Sequence, residues 1–235
     1  MYQLRSANQR GQTLLDWLDS RHSFSFGDYY DPAFMGFSDL RVINDDVVSA
    51  KQGFAPHSHK NMEIVTIPLS GRLQHRDSMG NGSVIRAGDV QKMSAGSGIL
   101  HSEMNPSASQ AVHFLQIWLI PNIRDTQPDY QQKRFAPEQM TDQLALIVSP
   151  DGREESIIIR QDAEIYQCLL NVDKEVSFSI SDDRKVWIQA AEGSISVNGR
   201  IMVAGDGLAI SDENVTIFIR GIDKRSNFLL FNLRK

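Results

Sequence analysis

Two short clusters carry the side chains best suited to hold a metal ion: His57-Ser58-His59 and His101-Ser102-Glu103. In a strand, residues i and i+2 point to the same side. His57 and His59 can therefore aim at one point, and so can His101 and Glu103. If the two strands lie side by side, three imidazoles and one carboxylate converge. Such a shell suits a first-row divalent ion. A lone His-x-His is more often a satisfied surface feature, and a lone His-x-Glu carries less. The pair together is stronger, because both sit in strand-like, glycine-bounded segments of one stretch, residues 53–105.

Four protein donors leave one or two positions open on a five- or six-coordinate ion. A catalytic metal needs that opening, whereas a structural zinc is usually closed. The donor set itself suits Fe, Ni, Mn, Co, Cu or Zn. The other histidines read differently. His75 stands beside a charged turn and is expected at the rim. His113 follows the apolar strand pattern of Phe114 and Leu115 and is expected to be packed. His22 has no second ligand type nearby and is expected to be structural.

The elements that must position these groups are strands. Met62 to Leu69 is apolar and β-branched, and Ser70-Gly71 turns the chain. Asp77 to Gly82 reads as a hairpin-type turn, because Gly and Asn tolerate positive φ. Ala95-Gly96-Ser97-Gly98 is a second turn, and it delivers His101. Ala111 to Ile120 is a long apolar strand closed by Pro121. Arg21 to Phe26 alternates, with Phe24 and Phe26 on one face. Residues 123–132 read as a polar excursion, and Pro137-Glu138-Gln139-Met140 could hold one helical turn. From residue 144 onward the short-strand rhythm returns, but no histidine follows His113. No 10–15-residue helical pattern alternates with the strands, so a parallel βαβ sheet is excluded and a sandwich or barrel is expected. The economical reading is a tandem β pair with only its first member metallated.

The whole chain sets bounds. Its 235 residues allow one large β domain or two small ones. With 29 acidic against 24 basic residues, the net charge is −5. That balance argues against a direct nucleic-acid binder, which needs a basic face. The single cysteine, Cys168, permits no internal disulfide and points to a reducing compartment, the cytoplasm. The first twenty residues hold no apolar h-region, and no run approaches a membrane span. There is no P-loop, dinucleotide fingerprint or nucleophile elbow.

Several stretches together resemble the pirin family of the cupin superfamily. They are Phe34-Met35-Gly36-Phe37, Arg41 to Asp46, the His57/His59 pair, Asp77-Ser78-Met79-Gly80-Asn81, and Met93 through Gly98 to His101-Ser102-Glu103-Met104-Asn105. The resemblance is strong over residues 1–120 and weaker beyond. It implies an all-β bicupin of two antiparallel jelly-roll barrels in tandem. These would be a metal-binding domain over 1–135 and a cupin-like domain without ligands over 136–235. It implies His57, His59, His101 and Glu103 as metal ligands. Glu63 stands where many cupins place a metal-binding glutamate, yet pirins use the carboxylate at Glu103. The implied activity is that of quercetin 2,3-dioxygenases, which open a flavonol ring with O2 and release carbon monoxide. Glu103 would be the proton acceptor, with Fe(II) first among the metals. Other members of the family act as transcriptional co-regulators, so a metal-bearing regulatory protein with a protein partner is the alternative reading. A different cupin dioxygenase or isomerase is a third.

Overall fold

The computed structural model describes residues 1–211 and 214–235. In chain order the strands are β1 (Tyr2–Arg5), β2 (Gly11–Leu15), β3 (Leu18–His22), β4 (Leu40–Val48), β5 (Gly53–His59), β6 (Glu63–Ser70), β7 (Arg72–Asp77) and β8 (Gly82–Arg86). There follow β9 (Asp89–Ser94), β10 (Ile99–Met104), β11 (Val112–Leu119), β12 (Asp129–Arg134), β13 (Ala145–Ser149), β14 (Ile157–Ile158) and β15 (Ala163–Asn171). The last are β16 (Glu175–Ile180), β17 (Arg184–Glu192), β18 (Ser194–Val197), β19 (Arg200–Val203), β20 (Gly207–Ile210), β21 (Val215–Gly221) and β22 (Arg225–Arg234). Among the described residues the one α-helical turn is α1 (Pro137–Met140). No described helix is long and apolar enough to cross a membrane.

The chain divides into two compact units. One holds residues 11–134 together with 159–161; the other holds residues 1–10, 135–158 and 162–235. The first unit is built from a seven-stranded sheet, β12-β9-β6-β11-β4-β3-β2, and a four-stranded sheet, β5-β10-β7-β8. All the pairings within both sheets are antiparallel. Apolar clusters seal this unit at Leu73, Ile85, Val112 and Phe114, and at Ile64, Met93 and Ile99.

The second unit repeats the plan with the sheets β1-β20-β17-β22-β15-β13-β14 and β16-β21-β18-β19. Its interior is one apolar cluster that includes Leu170, Ile188, Ile195, Ile217, Phe228 and Leu230. Its first edge strand is the chain's own beginning: Tyr2 pairs with Ile210 and Arg5 with Gly207.

Two segments differ from the sequence-based expectation. The polar stretch before residue 135 is not only an excursion, because Asp129–Arg134 pairs along β9 as an edge strand. An edge strand meets solvent, so its polar residues carry no core pattern to read. The alternation over Arg21 to Phe26 ends early. The strand stops at His22, and Phe24 is buried from a bend rather than from a ladder.

Candidate metal centre

The site begins with a backbone irregularity. On β10, His101 lies opposite His57 of β5, yet Glu103 lies opposite Phe54, so the ladder shifts between them. The extra residue falls at Ala55-Pro56. Proline has no N–H to give a ladder, and bulges are where a strand tolerates it. The bulge frees the Ala55 carbonyl, which accepts a hydrogen bond from His57 Nδ1 at 2.8 Å. A carbonyl cannot donate, so the proton of His57 sits on Nδ1 and the lone pair on Nε2. Gly53 permits the close approach just upstream: a Cβ there would lie 2.2 Å from the Glu103 carbonyl oxygen.

The rings of His57, His59 and His101 converge, with centroids 4.4 to 4.9 Å apart. Their ligand nitrogens all lie within 4.8 Å of one another. A second trio, His75, His101 and Glu103, meets the same limit, so His101 is common to both. His75 is therefore not at the rim: it is fully buried, opposite Glu103 in the β7–β10 ladder. Its Nε2 lies 3.1 Å from Asp77 Oδ2. A carboxylate fixes the His75 proton on Nε2 and leaves Nδ1 as an acceptor, 3.5 Å from His101 Nδ1. Gln91 Nε2 also donates to His75 Nδ1, at 3.3 Å. Asp77 also forms the turn, its Oδ1 accepting from the Met79 and Asn81 amides. The inward period of two, His75 then Asp77, was the signal in the sequence that marked this pair.

Glu103 is held by a buried relay. Thr66 Oγ1 donates to Gln116 Oε1 at 2.6 Å, and Gln116 Nε2 donates to Glu103 Oε2 at 2.7 Å. Sequence reasoning missed Gln116, whose one signal is a polar residue within an apolar strand. Glu63, by contrast, is engaged elsewhere, accepting from Ser94 Oγ and from the Arg160 amide. His113 faces out from β11 against Asp45, with Nε2 and Oδ1 2.5 Å apart, and joins neither trio. His22 is buried and structural, tied to Thr13 and Asn44, but it also lines the cavity described below.

The electrostatics favour a bound cation. Burial pushes Glu103 up to about 8, with the Asp46 carboxyl adding to the shift against the Gln116 hydrogen bond. Burial pulls His101 down to about 2 and His59 down to about 4, with neighbouring imidazoles adding to both. Neutral imidazole is the form that ligates, and a nearby dication would return Glu103 to its carboxylate. His101 Nε2 and Glu103 Oε1 are buried and have no hydrogen-bond partner among the described residues. Buried polar atoms are seldom left so, and these two belong to the trios that could hold an ion. The residues present fit a divalent metal. Among the described residues no such cluster occurs in the second unit, whose interior is apolar.

A cavity of roughly 390 Å³ opens between the two sheets of the first unit beside the histidines. Trp17, Phe26, Phe54 and Trp118 form apolar walls, and His22, Asn44, Asp46 and Gln116 form a polar one. Phe26 meets Trp118 edge to face at 5.4 Å, and Trp118 meets His59 likewise at 4.9 Å.

Comparison with known proteins agrees with this geometry. The family profile described as Pirin matches residues 3–119, and that described as Quercetinase C-terminal cupin domain matches residues 146–233. The chain is 48% identical to the quercetin 2,3-dioxygenase of Escherichia coli strain K12, over 99% of each chain. The chain belongs to the pirin family. The crystal structure of the bacterial pirin YhhW from Escherichia coli in complex with nickel(II) superposes with a TM-score of 0.94 at 47% identity, covering 100% of this chain and 99% of that one. A pirin-like protein of Caulobacter vibrioides is 36% identical over 85% of this chain and 86% of its own. At 20% identity and a TM-score of 0.76, a quercetin 2,3-dioxygenase from Acinetobacter baumannii shares the fold over 96% of this chain and 85% of that one. The two halves of this pirin are thus two cupin domains, and the all-β bicupin expected from the resemblance is the fold observed.

Proposed function

We propose that this pirin is a metal-dependent quercetin 2,3-dioxygenase, opening the flavonol ring of quercetin-type substrates with O2 and releasing carbon monoxide. The observation that carries the reading is the junction of three converging imidazoles and a buried carboxyl with a cavity whose walls are aromatic. The near-full-length likeness to an Escherichia coli quercetin 2,3-dioxygenase supports it. His57, His59, His101 and Glu103 would hold the ion, Fe(II) first among the metals suited to this donor set. When bound, the ion supplies Lewis acidity that stabilises a deprotonated flavonol oxygen.

The chain's own residues do the rest. Glu103, returned to its carboxylate by the ion, accepts the 3-hydroxyl proton. Gln116 keeps Glu103 Oε2 occupied, so that Oε1 is the oxygen that faces the site. Phe26, Phe54 and Trp118 take the planar rings and exclude water from the reacting oxygen. Cys168 is buried in the second unit, its thiol pushed up to about 12 by burial, and takes no part. A free buried thiol accords with a reducing, cytoplasmic setting.

The test is oxygen uptake with quercetin, normalised to bound metal, on protein reconstituted separately with Fe, Ni, Mn, Co and Cu. Quercetin-dependent uptake with carbon monoxide release is expected. No turnover with any of them would refute the dioxygenase reading and favour a regulatory role, which metal-dependent capture of a protein partner would then test.

A further inference from the structure

Resting on the flavonol reading, we propose that Asp46 reads the hydroxylation pattern of the substrate. Its free carboxyl oxygen binds a hydroxyl other than the one presented to the metal. The pocket therefore selects polyhydroxylated flavonols over a flavonol whose sole hydroxyl is the 3-hydroxyl.

Asp46 lies on β4 and lines the cavity, opposite Ser20 of β3 and Phe114 of β11. It is 3% exposed, and its Oδ1 has no hydrogen-bond partner among the described residues. The rest of the same wall is engaged. Asn44, two residues earlier on the same face, gives its Oδ1 to His22 Nδ1 at 2.7 Å. Gln116, opposite Asn44, is bound at both ends by Thr66 and Glu103. Asp46 thus offers an acceptor where its neighbours offer none.

A buried carboxyl oxygen without a partner destabilises a fold unless a ligand satisfies it. Ser20 hydrogen-bonds this carboxyl, so Oδ1 alone is left over. Trp118 lies on the same face of the same sheet, four residues along β11 from the Phe114 that pairs with Asp46, and Phe26 packs edge to face on it, so a planar ring lying against them would carry its far hydroxyls along the wall toward Asp46. A site built to hydrogen-bond a hydroxyl rejects the analogue lacking it, because the buried acceptor then stays unpaired.

The experiment compares quercetin with 3-hydroxyflavone. Wild type is expected to favour quercetin by about 10- to 100-fold in kcat/KM, the cost of leaving one buried acceptor unpaired. The same order should appear in dissociation constants measured on metal-loaded protein without oxygen, by quenching of tryptophan fluorescence. In Asp46→Leu the preference should collapse to within about threefold, through loss on quercetin with 3-hydroxyflavone handled as by wild type. A structural role would lower the melting temperature and leave the preference in place, and that result would overturn the proposal. Should Asp46→Leu fail to fold, Asp46→Asn keeps the size without the charge and should narrow the ratio by about tenfold. Equal handling of both flavonols by wild type ends this inference and leaves the dioxygenase reading standing. Selective binding without oxygen uptake does the reverse, and failure to bind either flavonol ends both.

Discussion

Gln116→Leu isolates the buried relay behind Glu103. The substitution keeps the bulk and removes two hydrogen bonds, at 2.6 Å from Thr66 and at 2.7 Å to Glu103. Without metal, Glu103 is mostly protonated at neutral pH, since burial raises it to about 8. The lost bond is then neutral and costs about 1 kcal/mol, with about 1–2 kcal/mol more for the stranded Thr66 hydroxyl. With metal, Glu103 is a carboxylate, and the same bond contributes about 1.5–3 kcal/mol. The difference between the two states is about 0.5–2 kcal/mol, and it appears as metal affinity. A weakening of roughly 10-fold is expected, within the range found for partners of metal ligands. Competition against a chromophoric chelator measures the affinity, and urea unfolding of the metal-free protein measures the stability. Adding Thr66→Val should recover the stability owed to the stranded hydroxyl while leaving the affinity low. Metal affinity within twofold of wild type would refute the relay as a support for the ligand.

Glu103→Gln should lower quercetin turnover per bound metal by ~10²–10⁴-fold, the usual worth of a general base; equal turnover per metal would remove Glu103 from that role. His57→Ala should act instead through metal loss, so metal content by elemental analysis should fall in step with activity. His75→Phe removes the acceptor facing His101, and should both weaken metal binding by about 10-fold and shift the visible spectrum of the Co(II) form; an unchanged spectrum would make His75 mere packing. For the metal-free protein, Glu103 titrates near 4.5 unfolded and near 8 folded, so between these values the native state holds a proton that the unfolded chain has lost. Stability must fall as pH rises there, and Asp46, raised to about 7, adds the same sign. His59 and His101, held below their ordinary 6.5, oppose this only on the acid side. From pH 6.5 to 8 a loss of up to about 1.4 kcal/mol per pH unit per proton is expected in urea unfolding, flattened by Glu103→Gln.

How much of this was legible in the sequence follows from what periodicity can carry. His57, His59 and His101 announce themselves because two i, i+2 pairs of ligand types are uncommon and register does the rest. The turns were legible because Asp77 and Gly80 have a physical reason to be there. His75 was misplaced because the charged neighbours Arg76 and Asp77 suggest solvent, whereas the pleat turns His75 inward. Gln116 and Asp46 passed unremarked because a polar residue in an apolar strand takes its meaning from what lies across the ladder. Edge strand β12 was invisible for the opposite reason, since nothing buries it on one side. The apolar filling of the second unit was foreshadowed by its lack of histidines, but its recruitment of residues 1–10 had no local cue.

That recruitment bears on how a ribosome can make this pirin. Tyr2–Arg5 is synthesised long before its partner strand, Gly207–Ile210. The first strand must therefore wait, unpaired, while residues 11–134 acquire their sheets. The Arg160 amide that satisfies Glu63 is likewise made well after Glu63 itself. A gene cut after Arg134 would thus yield two fragments, each missing a piece held by the other. Co-expressed halves should complement each other better when residues 1–10 are moved to the carboxyl fragment.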